Sequence, residues 1–158
     1  MNIQVRRFET ADAQVVAKLV ARVLRESNSK DYSSGYIEKD IQKMTSDFFI
    51  EKAKQTHFYV FCDHNKIIGT GAIGSYWGSQ DEFSLFDIFV LPEYQGQGVG
   101  RLIIETLEKD EYFKRASRVE IPASITGVEF YRHMGYDFKH GDKKIDDEKL
   151  YRLEKFPN

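Results

Sequence analysis

Hydrophobic and polar residues alternate along the chain with two different periods, and this pattern predicts a succession of short strands and helices. Residues 3–8 alternate with a period of two, which is typical of a strand. After Thr10, a potential helix cap, apolar residues recur three and four positions apart and predict a helix that ends near Ser27 and Asn28. The apolar stripe of this helix consists of Val15, Val16, Leu19, Val20, Val23 and Leu24.

The next part of the chain combines two shorter helical patterns with β-rich runs. Helical spacing recurs from about residue 33 and again over residues 48–54. Residues 57–62 and 66–73 are rich in strand-forming side chains. The turn-forming sequence between them predicts an antiparallel hairpin.

The second half of the chain alternates strands and helices. It predicts a strand at residues 83–91, a helix at 98–109, a strand at 118–123, a short helix at 125–133 and a final strand pair at 136–139 and 150–156. A meander of strands followed by this alternation predicts an α/β domain, with helices on both faces of one mixed sheet.

Length and composition limit what such a domain does. The chain has 158 residues, of which 41% are apolar and 30% charged, so we expect one globular domain over residues 1–158. The formal charge is −2 and no long basic run occurs, which argues against nucleic acid as a partner. Cys62 is the only cysteine, which excludes an intrachain disulfide and a cysteine-based zinc site. The four histidines lack the close spacing of metal ligands, so we expect no metal.

The N-terminal sequence and the apolar runs bear on localisation. Arg6 and Arg7 interrupt the chain before an apolar stretch of signal-peptide length can form. The longest apolar run, residues 57–62, is much shorter than the ~18 residues that would suggest a membrane span. We therefore expect a cytoplasmic protein without a membrane partner.

A turn with three alternate glycines, Gly96, Gly98 and Gly100, precedes the predicted helix at residues 98–109. Without side chains the main chain can approach a ligand closely, and successive N–H groups and the helix dipole point at one place. Such a turn binds anions, above all phosphates. It is not a P-loop, which needs Lys-Ser or Lys-Thr after its last glycine, and its spacing does not fit a Rossmann fingerprint.

The pattern Gln-x-x-Gly-x-Gly, supplied by Gln95, Gly98 and Gly100, closely resembles the coenzyme A pyrophosphate loop of the GNAT N-acetyltransferase superfamily. Residues 87–94 are similar to the central strand of that family. Residues 123–136 look like its second motif, a short helix with Phe-Tyr followed by glycine and an aromatic residue. The resemblance covers nearly the whole chain. It implies the GNAT (acyl-CoA N-acyltransferase) fold, a mixed and mostly antiparallel central sheet that is splayed in the middle.

The resemblance also implies how acetyl-CoA, the cofactor of that family, is bound. Pantetheine enters the gap where the strand ending at Val90 parts from the strand ending at Ala123, and amides of the glycine turn hold the pyrophosphate. Ser124 would contact pantetheine, although a helix cap is an equally good role for it. The residues expected to bind the cofactor are Ile88, Phe89, Val90, Gln95, Gly96, Gln97, Gly98, Val99, Gly100, Arg101 and Ser124.

Tyr131 stands where the family usually carries its general acid, and it would protonate the departing thiolate. A phenol with a pKa of about 10 is protonated at neutral pH, so it can donate without further tuning. The alternative role for Tyr131 is that of a core aromatic. Gly127 stands where relatives more often carry alanine, which loosens the helix that holds Tyr131.

The acceptor ammonium must lose a proton before its nitrogen can attack the thioester. Glu82 and Asp87, just before and within the central strand, are candidate general bases. A purely structural carboxylate is the alternative for each, and a chain of water molecules is a third route for the proton. The amide of Val90 would stabilise the oxyanion.

Aromatic and acidic residues would line the acceptor site, and such residues suit a cationic amine. They come from the first helices and from the loop before the central strand: Tyr32, Tyr36, Tyr76, Trp77 and Asp81, besides Glu82. Core aromatics and exposed loop carboxylates are common, so a structural role is the alternative for each of them.

Three functions fit these features. The first is an acetyl-CoA-dependent N-acetyltransferase that catalyses direct attack by the amine of a small molecule or peptide in a ternary complex. The second is a non-catalytic acyl-CoA-binding sensor, which an intact Tyr131 disfavours. The third is an acetyltransferase for a macromolecular amine, such as a protein N-terminus or a lysine. An exposed edge of the terminal strand pair would also support a homodimer.

Overall fold

A computed structural model describes residues 1–157, and in these residues seven strands form one sheet. The strands are β1 (Ile3–Arg7), β2 (Thr56–Asp63), β3 (Lys66–Ser75), β4 (Glu82–Val90), β5 (Arg118–Ser124), β6 (Asp137–Phe138) and β7 (Leu150–Lys155). Their order in the sheet is β1-β2-β3-β4-β5-β7-β6. Neighbouring strands are antiparallel except β4 and β5, which are parallel.

Helices flank this sheet. They are α1 (Ala13–Glu26), α2 (Ser34–Lys43), α3 (Ser46–Gln55), α4 (Val99–Glu108), α5 (Glu111–Lys114) and α6 (Val128–His133). Two of them begin at hydroxyl caps, because Ser33 accepts a hydrogen bond from the amide of Tyr36 and Thr45 accepts one from the amide of Phe48. The sequence pattern did not predict α5, and α6 begins three residues later than predicted.

The register of β2 and β3 shows which helices lie on which face. Phe58 pairs with Ala72, so their side chains share a face, and the Phe58 ring lies 6.0 Å from the ring of Phe49 on α3. A Cβ added to Gly71 would lie on the opposite face, 2.6 Å from Cγ2 of Ile103 on α4. The prediction of helices on both faces is therefore confirmed.

The first helix buries most of its predicted stripe, from Val16 to Leu24, but Val15 is 49% exposed and does not belong to it. The predicted cap at Thr10 is also wrong. Thr10 begins a short 3₁₀ turn, and the Asp12 carboxylate accepts the hydrogen bond from the amide of Glu9. Arg6 fixes that carboxylate in place through two hydrogen bonds.

The sheet splits between its two parallel strands. Residues Glu82–Ser84 of β4 pair with Arg118–Glu120 of β5, and the two strands have no further paired residues. The rest of β4 pairs only with β3, while the rest of β5 pairs only with β7. The predicted mixed, mostly antiparallel sheet with a central splay is confirmed.

Candidate active site

The gap between β4 and β5 exposes main-chain groups of β4. The amide of Leu91 donates to the carbonyl of Ile68 on β3, and main-chain groups alternate in direction along a strand. The amides of Ile88 and Val90 therefore point away from β3 and into the gap. The Val90 carbonyl points in the same direction and accepts a hydrogen bond from Nε2 of Gln95, 2.9 Å away. This edge of β4 is open to an extended ligand.

The glycine turn at the end of β4 presents a row of free amides. Gly96 and Gly98 have φ values of +73° and +86°, a conformation that favours glycine, and Gly98 is the N-cap of α4. Within residues 1–157, the amides of residues 96–101 donate to no backbone carbonyl. These amides and the positive end of the α4 dipole fit a diphosphate anion.

The polar side chains of this turn brace it. Nε2 of Gln95 donates to Oγ of Ser27 at the end of α1 as well as to the Val90 carbonyl, and Nε2 of Gln97 donates to the carbonyl of Glu93. Arg101 is exposed on the first turn of α4. The side chains of Gln95 and Gln97 thus hold the turn, while its amides make no main-chain hydrogen bond within the described residues.

A contact that the sequence did not reveal joins this turn to α6. A Cβ added to Gly100 would lie 3.0 Å from Cζ of Phe130. The Phe130 ring in turn makes an edge contact with Tyr131, with 5.5 Å between ring centroids. The glycine pattern predicted close approach to a ligand at residue 100, but the closest neighbour there is this aromatic ring.

Tyr131 lies on α6 beside the turn that follows β5. Burial raises the pKa of its hydroxyl, so the group is protonated at every physiological pH. Gly127 leaves room for the ring, since a Cβ there would lie 3.1 Å from Cε2 of Tyr131. Ser124 closes the turn, because its Oγ accepts a hydrogen bond from the amide of Gly127 at 3.0 Å.

Asp87 lies at an irregularity in β4. Thr70 pairs with Phe89 while Ala72 pairs with Phe86, so β4 carries one extra residue, and Asp87 has a φ of +52°. The Thr70 hydroxyl fixes this bulge by donating to the Asp87 carbonyl at 2.7 Å. The carboxylate atom Oδ2 is buried and has no hydrogen-bond partner among the described residues. Burial raises the pKa of Asp87 to about 6.

Glu82, the other predicted base, lies at the first residue of β4 and is occupied by an ion pair. Arg118 on β5 donates to its carboxylate at 3.0 Å, and the same guanidinium binds Glu120 and Glu154. Five residues of strand, about 16 Å, separate Glu82 from Asp87. The arrangement joins β4, β5 and β7 where the two parallel strands are still paired.

Tyr32 and Tyr36 stack on each other with 4.8 Å between ring centroids. The Tyr32 hydroxyl donates to the carbonyl of Lys149 at 2.7 Å and accepts from the amide of Ile125 at 2.9 Å. The Tyr36 hydroxyl donates to the carbonyl of Glu148. We call these two side chains the tyrosine clamp, since they tie the segment before α2 to the β6–β7 loop and to the end of β5.

The remaining predicted acceptor residues lie in the loop between β3 and β4. Tyr76 accepts a hydrogen bond from Nζ of Lys139, and Asp81 accepts hydrogen bonds from Ser117. Trp77 is 91% exposed. This loop lies at the end of β4 opposite to Val90, about 20 Å of strand from Asp87, so the structure does not bring it together with Asp87.

Comparison with known proteins gives the family. The model of the acetyltransferase (GNAT) domain matches residues 54–137, which is more than half of the chain. The chain belongs to the GNAT acetyltransferase family. GNAT acetyltransferases use acetyl-CoA as their cofactor.

Solved GNAT structures share the fold over nearly the whole chain. The paia N-acetyltransferase from Thermoplasma acidophilum, in complex with coenzyme A, has a TM-score of 0.84 at 17% identity and covers 99% of both chains. A GCN5-related N-acetyltransferase from Rhodopseudomonas palustris has a TM-score of 0.80 at 19% identity, covering 99% of this chain and 96% of its own. At these identities the likeness concerns the GNAT fold alone.

Curated relatives match shorter stretches. The histone acetyltransferase TAP1 of Glycine max is 35% identical over 54 residues, which is 34% of this chain and 23% of that protein. The N-acetyltransferase YodP of Bacillus subtilis is 28% identical over 107 residues, 66% of this chain and 34% of that protein. The chain therefore spans about a quarter to a third of the length of the curated relatives it matches.

The described residues contain neither a membrane-spanning helix nor a cluster of metal-binding side chains. In residues 1–157 no helix is long and apolar enough to cross a membrane. The same residues contain no group of three or more His, Cys, Asp or Glu side chains arranged to hold a metal ion.

Proposed function

We propose that this protein transfers an acetyl group from acetyl-CoA to the primary amine of a small molecule or peptide, by direct attack in a ternary complex. The observation that carries the proposal is the open edge of β4. The amides of Ile88 and Val90 face the gap between the parallel strands, and the free amides of residues 96–101 continue from its end. A pantetheine arm and a diphosphate fit these two stretches in that order.

The residues beside the gap have the properties that acyl transfer requires. When bound, acetyl-CoA supplies an activated acyl carbonyl. The amides of Ile88 and Val90 are fixed dipoles that would stabilise the negative charge on the oxygen of that acyl carbonyl. Tyr131 keeps its proton because its pKa is raised, and it delivers that proton to the thiolate.

Asp87 is the general base in this proposal. Oδ2 of its carboxylate is buried and has no hydrogen-bond partner among the described residues, and its pKa is about 6, so it can accept a proton from the acceptor ammonium at physiological pH. Glu82 is the weaker candidate, because Arg118 holds its carboxylate in an ion pair. The neutral amine that results would attack the acyl carbonyl, and the carbon–sulfur bond would break. The second proton that the amine nitrogen loses would replace the one that Tyr131 gives to the thiolate.

Two measurements test the proposal. Isothermal titration with coenzyme A should give a clear binding heat, and its absence would refute the proposal. A panel of polyamines, amino acids, aminoglycosides and peptides, incubated with acetyl-CoA and followed by free thiol release, should identify an acceptor. Tight coenzyme A binding with no thiol release from any amine would support a sensor instead. Release with protein substrates alone would support a macromolecular acceptor.

Replacement of Tyr131 by phenylalanine tests the acid. Tyr131→Phe keeps the ring in its contact with Phe130 but removes the proton donor, so we expect kcat to fall about 100-fold or more. The dissociation constant for coenzyme A should be unchanged. An unaltered kcat would remove Tyr131 from the mechanism.

A further inference from the structure

A lysine on α3 lies next to the bulge of β4. Nζ of Lys52 is 3.8 Å from the centroid of the Phe86 ring, well within the range of a cation–π interaction. Phe86 directly precedes Asp87, and its pairing with Ala72 places its side chain on the face that α3 covers. Lys52 is half-buried, whereas Lys54, two residues further along α3, is exposed and pairs with Glu51.

This ammonium group acts on the Asp87 carboxyl. Burial raises the pKa of Asp87, and the positive charge of Lys52 opposes that rise. No hydrogen bond to Oδ2 shares in this stabilisation, because Oδ2 has no partner among the described residues. On β3, Thr70 bonds to the main chain of Asp87 and carries no charge.

Lys18 on α1 and Arg101 and Glu105 on α4 are exposed and make no ion pair with the described residues. Several other charged groups on the elements packed around β4 are bound to groups of opposite charge. On α1, Arg22 pairs with Glu93 and Arg25 pairs with Glu38; on β5, Glu120 pairs with Arg118 and Lys139; on α4, Glu108 pairs with Lys155. The buried Tyr131 hydroxyl on α6 is neutral. Among the described residues, Lys52 is the charged side chain that acts on the Asp87 carboxyl.

We propose that Lys52 is a positioning residue whose ammonium group, docked on the Phe86 ring, holds the Asp87 carboxyl in its ionised, proton-accepting form. This inference rests on the proposed function, in which Asp87 is the base. A buried carboxyl without a nearby cation would keep its own proton at neutral pH and could not take one from an acceptor. Lys52 acts through Asp87 and needs no contact with the reacting atoms.

The expected rise in the pKa of Asp87 after removal of the Lys52 charge gives a kinetic test. Lys52→Met removes the charge and keeps the side-chain length, so Asp87 should ionise at a higher pH. The acidic limb of the kcat/KM profile should move to higher pH by about one pH unit, so that kcat/KM on the acidic side falls about tenfold and recovers in alkali. Lys52→Arg should restore the original limb, and Lys54→Met should leave the whole profile unchanged.

A second readout needs no acceptor and separates the two proposals. The carboxyl carbon of Asp87, followed by NMR in a pH titration of the whole protein, should have a higher midpoint in Lys52→Met than in the parent and in Lys52→Arg. A higher midpoint in an enzyme that acetylates nothing would refute the proposed function and leave the coupling of Lys52 to Asp87 standing. An unchanged midpoint, or an unchanged acidic limb in an active enzyme, would overturn the role of Lys52. If Lys52→Met does not fold, Lys52→Gln serves for both measurements.

Discussion

Gly127 decides where the ring of Tyr131 can lie. The residue has a helical conformation at the N-cap of α6, so its backbone does not require glycine. What requires it is space, since a Cβ would lie 3.1 Å from Cε2 of Tyr131 and 3.2 Å from Oγ of Ser124. The absence of a side chain at Gly127 thus leaves the space that the ring of the proposed acid occupies.

Gly127→Ala should therefore displace the Tyr131 ring by a few tenths of an ångström and lower kcat by about tenfold, because proton transfer depends on fixed geometry. Coenzyme A affinity, measured by titration calorimetry, should hardly change. Gly35→Ala is the matched control. It lies within α2 with open space around it, and it should raise the free energy of unfolding by about 0.5–1 kcal/mol without changing kcat. Equal kcat values in both variants would contradict the steric role of Gly127.

At the scale of the element, the turn between β4 and α4 depends on backbone conformation more than on side chains. Gly98 ends the turn with a φ of +86°, and an added Cβ would meet no atom within 4 Å. A substitution there changes the direction of the amides without causing a clash. A substitution at residue 98 would therefore alter the turn through its main-chain conformation.

Gly98→Ala should weaken coenzyme A binding about tenfold or more, because the amides of the turn leave their converging arrangement. Gly78→Ala in the β3–β4 loop is a close control, since Gly78 has a φ of +77° and is equally free of neighbours. Both variants should lose about 1–2 kcal/mol of stability from the left-handed backbone. Only Gly98→Ala should lose affinity, and equal losses of affinity would refute the role of the turn.

Most helices and strands could be predicted from hydrophobic periodicity. The features that could not be predicted have physical reasons. The helix α5 has four residues, about one turn, which is too short for an apolar period to be recognised. The bulge at Asp87 leaves no trace in the sequence, because β4 is apolar on both sides of Asp87 and has no regular alternation that an extra residue would interrupt. The ion pair of Arg118 with Glu82 forms because β4 and β5 are neighbours in the sheet. The tyrosine clamp joins residues more than 110 positions apart in the sequence. Both contacts therefore depend on the topology of the fold, which local sequence patterns do not predict.

The residues of the candidate site also fall into two groups, those that local sequence patterns predict and those that depend on the fold. The glycine turn and Tyr131 are predictions that local spacing and a family resemblance made possible. Phe86 and Lys52 belong to no motif, and the contact between them joins β4 and α3. Phe130 belongs to the second motif, but its contact with Gly100 joins α6 to α4 and depends on the fold. Gln95 remains a predicted cofactor-binding residue, and the structure adds that its side chain ties the turn to α1 and β4.

At the scale of the whole molecule, Asp87 makes the fold less stable than its packing allows. Its pKa is raised from 3.8 to about 6, so folding favours the protonated carboxyl. The folded protein is therefore penalised above about pH 6, where Asp87 is ionised in both states. The penalty declines as the pH falls through 6 and disappears below the unfolded value.

Asp87→Asn should consequently raise the free energy of unfolding at pH 7.5, by up to about 3 kcal/mol at 1.36 kcal/mol per pH unit. The gain over the parent should shrink between pH 6 and pH 4. Urea denaturation of both proteins at pH 7.5 and pH 4.5 measures this. Other carboxylates, such as Asp12 with its lowered pKa, contribute equally to both proteins and cancel. A gain that does not depend on pH would show that Asp87 is not the cause.

The tyrosine clamp fixes three segments of the molecule before any ligand arrives. Its two hydroxyls bind the carbonyls of Glu148 and Lys149 and the amide of Ile125, and the Asp146 carboxylate further orders the same loop by accepting from the amides of Glu148 and Leu150. The conformational entropy of that loop is thus lost during folding rather than during association. A compound that enters beside it meets rigid walls, and selection among compounds then follows shape more than induced adjustment.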